Sequence, residues 1–234
     1  MSDVRSRTAS LLQPSLNPTA SPDMLKSAIS QVHGIAMDNI AMIARNAEAK
    51  RRLGQQLPQI ACKKGCDSCC YLRVSATIPE VLNIAEQILD NFSDAEIASL
   101  KQRLAHNLEQ VEGLNTRQKL NKMLPCPLLV DHSCSVHALR PLHCRSHHSV
   151  DVDACKQGLI HPDTVQIPHF LEVETVVLPV SQGIHAAIRE KKLKDSEVVL
   201  VPALSIALNN TNAGQRWLAG EDLFSAAVDD KIMP

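Results

Sequence analysis

The chain has 234 residues, of which 44% are apolar and 21% charged, proportions that fit an ordinary folded protein and exclude wholesale disorder, collagen and long coiled coils. Its 24 basic and 25 acidic residues leave a net charge of −1, which counts against a dedicated nucleic-acid binder. The longest uncharged apolar runs, 176–188 and 198–208, each contain a proline and fall short of the roughly 18 residues a membrane span needs, so no membrane partner is expected.

Residues 1–20 are rich in Ser, Thr, Pro and Asn and are expected to form a disordered arm. They lack the apolar core of a secretory signal, which points to a cytoplasmic protein. Residues 21–234 are expected to form one α-rich domain. Ser21 followed by Pro22 marks a helix start, and Leu25, Ala28, Ile29, Val32, Ala36, Ile40 and Ile43 line one face as far as Gly54. An irregular cysteine-bearing segment follows. Thr77-Ile78-Pro79-Glu80 and Ser93-Asp94-Ala95-Glu96 both read as capping boxes. They open helices over 79–91, with Val81, Leu82, Ala85, Ile88 and Leu89 inward, and over 94–113, and the two are expected to pair antiparallel.

Periodicity disappears between Pro125 and Pro168, where cysteines, histidines and prolines take over. Val173, Val176, Val180, Ile184 and Ala187 then return to helical spacing, although Pro179 and Gly183 lie inside the run. Further pieces are expected around 202–209 and from Glu221. The fold class is mainly α, with helices around an irregular cysteine-rich metal-binding centre.

All eight cysteines lie between Cys62 and Cys155. In a chain without an export signal such clustering indicates ligands or redox groups, not a disulfide framework. The first group is Cys62-x3-Cys66-x2-Cys69-Cys70. Thiolates two to three residues apart can turn onto one ion, but the adjacent Cys69 and Cys70 point apart and rarely serve the same one. The second group, Cys126, Cys134, Cys144 and Cys155, is spaced at intervals of 8, 10 and 11. Neither group closes a four-sulfur site cheaply alone, whereas sharing ligands across the chain adds little loop-closure entropy. At least one centre is therefore expected to draw on both groups, with Cys66 or Cys69 joining Cys134 or Cys144. Cysteine ligation suits zinc, iron or an iron–sulfur cluster.

The run Cys62-x3-Cys66-x2-Cys69-Cys70, then Cys126-Pro127, then Cys134-Ser135-Val136-His137-x2-Arg140-Pro141-x2-Cys144-Arg145, and finally Cys155, resembles the YkgJ-type cysteine-cluster family of zinc- or iron-chelating domains. His137 stands where that family usually has Tyr, and Ser146-His147 where an aromatic often follows. The resemblance implies metal chelation by the cysteines. A larger relative, the flagellin lysine methylases, puts a similar cluster to enzymatic use with S-adenosylmethionine. The C-x3-C-x2-C spacing also occurs in radical S-adenosylmethionine enzymes, but Ser68 replaces their aromatic and the strand–helix alternation of their barrel is missing.

Arg140 and Arg145 bracket Cys144 and are candidate cofactor-binding residues, either as counter-charges to thiolates or as anchors for an anionic group. His132, His137, His143, His147 and His148 lie among the second-group cysteines as solvated loop residues or auxiliary ligands, while His33, His106 and His185 sit on helices. No catalytic triad, phosphate loop or carboxylate pair is recognisable. Three functions remain open: an iron, iron–sulfur or zinc protein of redox or metal-handling role, a zinc-stabilised module for a protein partner, and a cluster-dependent, methyltransferase-like enzyme for a small-molecule partner.

Overall fold

Ser21 begins the first long helix as its spacing predicts. Its hydroxyl accepts from the Met24 amide, Pro22 occupies the first turn, and α2 runs Pro22–Arg52 with Lys50, Arg51 and Arg52 at its C-terminal end. The apolar face predicted for it is buried throughout except for a half-buried Ile43, and His33 is buried with it. These are features of a computed structural model that describes residues 2–63 and 65–228.

The chain ahead of α2 departs from expectation. Helix α1, Ser2–Leu12, and a 3-10 turn at Gln13–Ser15 occupy the region read as a disordered arm. Thr8, Ala9, Leu12, Ser15, Leu16 and Ala20 are buried there. Helix α1 packs against α8, Leu171–Glu190, and Gln13 hydrogen-bonds Glu190 at the end of that helix. Apart from Leu12 and Leu16 the buried residues of this stretch are small or polar, which gives little apolar pattern in the sequence. A Cβ built on Gly183 of α8 would lie 2.5 Å from Thr8 Cβ and 2.6 Å from the Arg5 carbonyl oxygen, so the two helices meet at backbone distance. The glycine that looked like an interruption is the contact itself.

Helix α3, Ile78–Asn91, and helix α4, Asp94–Glu109, begin at the two predicted capping boxes. Glu96 accepts from the Ser93 amide at 2.8 Å, and Glu80 accepts from the Thr77 amide at 3.0 Å. Leu89 is exposed, and Val111 lies beyond the helix. The expected antiparallel pairing is replaced by a shared support. Both helices pack on α9, Leu200–Asn209, which is apolar on most of its surface. A short sheet holds this end together: β1, Ser75–Thr77, runs antiparallel to β4, Glu197–Val199. Helix α5, Thr116–Asn121, follows α4.

The middle of the chain, read as aperiodic, contains a hairpin of β2, Leu129–Val130, with β3, Ser133–Cys134, and two short helices, α6, Leu142–Ser146, and α7, Val152–Ile160. Helix α8 keeps Pro179 inside it and buries Val173, Val177, Val180, Ile184, Ala187 and Ile188. Helix α10, Ala213–Leu218, was not foreseen; the piece expected from Glu221 is a 3-10 turn at Ser225–Ala227, and what was expected after 228 lies outside the described residues. The architecture is mainly α, as expected.

Docking of α1 through Gly183 predicts that Gly183→Leu displaces α1 and lowers stability by about 2 kcal/mol, a usual cost of overpacking. Deleting residues 2–20 removes α1 altogether, and in that background Gly183→Leu is expected to be close to neutral. Urea unfolding of the four proteins measures both effects.

Candidate metal centre

Each cysteine is presented by a short, locally determined element. The first group lies on an irregular loop that ends in a 3-10 turn, Ser68–Tyr71, carrying Cys69 and Cys70, with Gly65 in the left-handed region at φ +85. Cys134 is carried by the hairpin. Its two-residue turn, Asp131-His132, has φ of 47° and 58°, the geometry that matches the twist of two antiparallel strands. Cys144 sits on α6 and Cys155 on α7. Cys62 is exposed, Cys155 buried, and the other six lie between.

Three ties hold the two groups together. The Cys126 amide donates to the Cys70 carbonyl at 2.7 Å. His132, at the hairpin turn, reaches Asp67 with Nδ1 and Oδ2 2.7 Å apart. The Ala61 amide donates to the Ser149 carbonyl at 2.8 Å, and α7 packs on the 3-10 turn that bears Cys69 and Cys70. Ser149 is itself held by pairing of 148–150 with 168–170.

The thiols feel this proximity. Burial raises Cys62 and Cys155, and each is raised further by Cys66 and Cys69. Burial likewise raises Cys126, to about 11, and also Cys134 and Cys144, with Cys69 adding to all three. Two sulfur neighbourhoods result: Cys62, Cys66 and Cys155 on one side, Cys126, Cys134 and Cys144 on the other. Cys69 stands in the field of both. Its thiol is lowered by a hydrogen bond from Cys70 and by Arg140, while Cys70 is raised by the same hydrogen bond and by burial. Cys69 is thus the thiolate most readily available. Among the described residues, no three His, Cys, Asp or Glu side chains already close on one point.

Arg140 and Arg145 separate into different roles. The Arg140 charge lowers Cys69, Cys134 and Cys144, so it serves as counter-charge to the sulfur patch. Arg145 is 7% exposed and turns away into the protein. It donates to the Arg140 carbonyl at 2.7 Å, to the Ala138 carbonyl, and over 3.4 Å to Nδ1 of His33. A guanidinium has no acceptor, so Nδ1 of His33 carries the lone pair and Nε2 the proton. That proton is donated to Glu80 at 2.9 Å.

Glu80 is the residue the sequence undersold. As a cap it accepts from Thr77, but it also accepts from the Leu142 amide at 2.8 Å, which opens the helix carrying Cys144. Burial alone would raise its carboxyl; hydrogen bonds from His33, Thr77 and Leu142 lower it to about 2. Of the other histidines, His147 meets His169 edge-on at 4.4 Å and is lowered to about 4 by burial and by neighbouring histidines. His137 is lowered by burial and Arg140, and His185 pairs with Asp195 and Glu197, away from the cysteines.

The donor set fits zinc or iron. Its sulfurs are soft ligands, and backbone hydrogen bonds from Leu128 to Cys126 and from Val136 to Cys134 would support them as thiolates. Fold and site together define an α-helical protein with a cysteine-rich metal-binding centre. Residues 61–166 match the family model CxxCxxCC, described as “Putative zinc- or iron-chelating domain”, and the cysteine-rich part of the chain is similar to that family. No curated protein and no solved structure matches the chain.

Replacing Glu80 by Gln leaves the buried donors short of acceptors and should cost about 3 kcal/mol of stability. Because the folded carboxyl is lowered, its contribution is complete above the ordinary value of 4.5 and is lost as pH falls through about 2. Acid titrations of wild type and Glu80→Gln should therefore converge below pH 4.5.

Proposed function

We propose that this protein holds iron, as iron alone or as an iron–sulfur cluster, on thiolates contributed by both cysteine groups, and that the centre serves redox chemistry or metal handling. The observation that carries the shared ligation is the contact between the groups: the Cys126 amide bonds the Cys70 carbonyl at 2.7 Å, and α7, which bears Cys155, packs on the turn that bears Cys69 and Cys70. One ligand set draws on Cys69 or Cys70 with Cys126, Cys134 and Cys144; the other is Cys62, Cys66 and Cys155, with Cys69 able to complete it. Bound there, iron supplies electron-transfer or ligand-exchange capacity.

The protein's own contribution is to prepare the thiolates. Arg140 offsets their accumulated negative charge, the amides of residues 128 and 136 are positioned to hydrogen-bond them, and Glu80 fixes the start of the helix bearing Cys144. A purely structural metal is usually sealed from reactants. Here a cavity of about 730 Å³, lined in part by Tyr71, Leu72, Leu108, Leu124 and Val201, extends to Cys126. Its size is that of small-molecule sites, which supports access to the centre.

Anaerobic purification followed by metal and sulfide analysis tests the proposal. A brown protein containing iron is the expected result. A colourless protein containing zinc at its cysteine sites would overturn the iron reading in favour of a zinc-stabilised module. Binding of S-adenosylmethionine to a brown protein would direct the redox reading toward the cluster-dependent enzyme.

A further inference from the structure

A second cavity reaches Arg145 and has no cysteine in its lining. It has a volume of about 240 Å³ and is bounded by α2, α3 and the segment leading into α6. Lys26, Ser30, His33, Gly34 and Met37 come from α2, and Asn83 and Gln87 from α3. Ala138, Leu139 and Arg145 complete it.

Its inner end is built from polar side chains that are almost wholly buried: His33 at 5% exposure, Asn83 at 3% and Arg145 at 7%. Both nitrogens of His33 are engaged, by Glu80 and by Arg145. Among the described residues the Asn83 carboxamide has no hydrogen-bond partner, and Arg145 bonds through Nε and Nη2, leaving Nη1 over. Arg145 therefore keeps a full positive charge in the interior. Its acceptors are two carbonyls and an imidazole nitrogen, and the nearest carboxylate, Glu80, stands behind the His33 ring. A buried cation without a close counter-ion is costly, and a cavity opening onto it gives that counter-ion a place.

From these observations we infer that the cavity is a binding site for a small oxyanion, a carboxylate or phosphate group, held by Arg145 and Asn83 with Lys26 at the rim. Lys26 already bonds Asp23 at 2.8 Å and Asp90 at 2.6 Å, so its charge is answered there and Arg145 makes the direct contact. The volume is below that of drug-sized pockets and suits a ligand of few heavy atoms. The two ends of the guanidinium are then divided: one fastens the loop ahead of Cys144, the other receives the anion. This site is separate from the proposed iron centre and stands whichever metal the cysteines hold.

Calorimetric titration of the metal-loaded protein with orthophosphate and with succinate, at matched ionic strength in chloride, tests the inference. Saturable, submillimolar binding of one or both is expected, and the stronger ligand distinguishes a phosphate from a carboxylate site. Gly34 offers a variant that leaves the network untouched, because a Cβ there meets nothing within 4 Å and a larger side chain can extend over the cavity. Gly34→Leu, which also favours the helix, should weaken binding by about tenfold or more while leaving the circular dichroism unchanged. Asn83→Leu should weaken it by about tenfold through loss of a hydrogen bond to a charged group. Absence of saturable binding, or wild-type affinity in Gly34→Leu, overturns the proposal.

Discussion

A carboxylate removed from water must have its charge answered, and at Glu80 the answer organises the molecule. The side chain is 2% exposed. Desolvating such a group costs several kcal/mol, which hydrogen bonds from three separate parts of the chain offset. His33 comes from the long helix α2, Thr77 from the strand before α3, and the Leu142 amide from the start of α6. Helix α6 packs on α8, α2 and β1 and buries Leu142, but it is only five residues long. The carboxylate ties the start of that helix to the helical core, and through His33 it also fixes the orientation of Arg145.

The cysteine-bearing segments reach the core through Leu128, Val136 and Leu142, and such ties fix the stretches between those anchors. The bonds from Cys126 to Cys70 and from His132 to Asp67 bring the groups into register, and the pairing around Ser149 brings in Cys62. What remains is the cost of ionising the buried thiols beside Cys69, which Arg140 reduces only in part. A bound cation would remove it, and thiolate–metal bonding can supply on the order of 10 kcal/mol to a fold of this kind. Preorganisation by Glu80 and final closure by metal are complementary.

Much of this was legible in the residues. The capping boxes at Thr77 and Ser93, the stripe of α2 and the helical spacing after Val173 each report a local interaction that local sequence determines. The cysteine motif was equally plain because its spacing is specific. Three features were not legible, for different reasons. Helix α1 buries Thr8 and Ala9, which composition counts as small or polar, and sets Thr8 against Gly183, far along the chain. Glu80 carries a complete local explanation as a cap, which conceals its bonds to His33 and Leu142. The pairing of α3 and α4 with α9 was likewise decided by tertiary contact, since the short connection at Phe92 and Ser93 alone suggested a hairpin.

Metal stoichiometry in Cys144→Ser, measured on protein refolded with the native metal, tests most directly whether the two cysteine groups form shared centres. The account predicts loss of metal from a site that includes Cys69 or Cys70, with X-ray absorption showing fewer sulfur ligands on whatever metal remains. Full metal occupancy with an unchanged sulfur coordination would mean that the groups bind independently, and would contradict it.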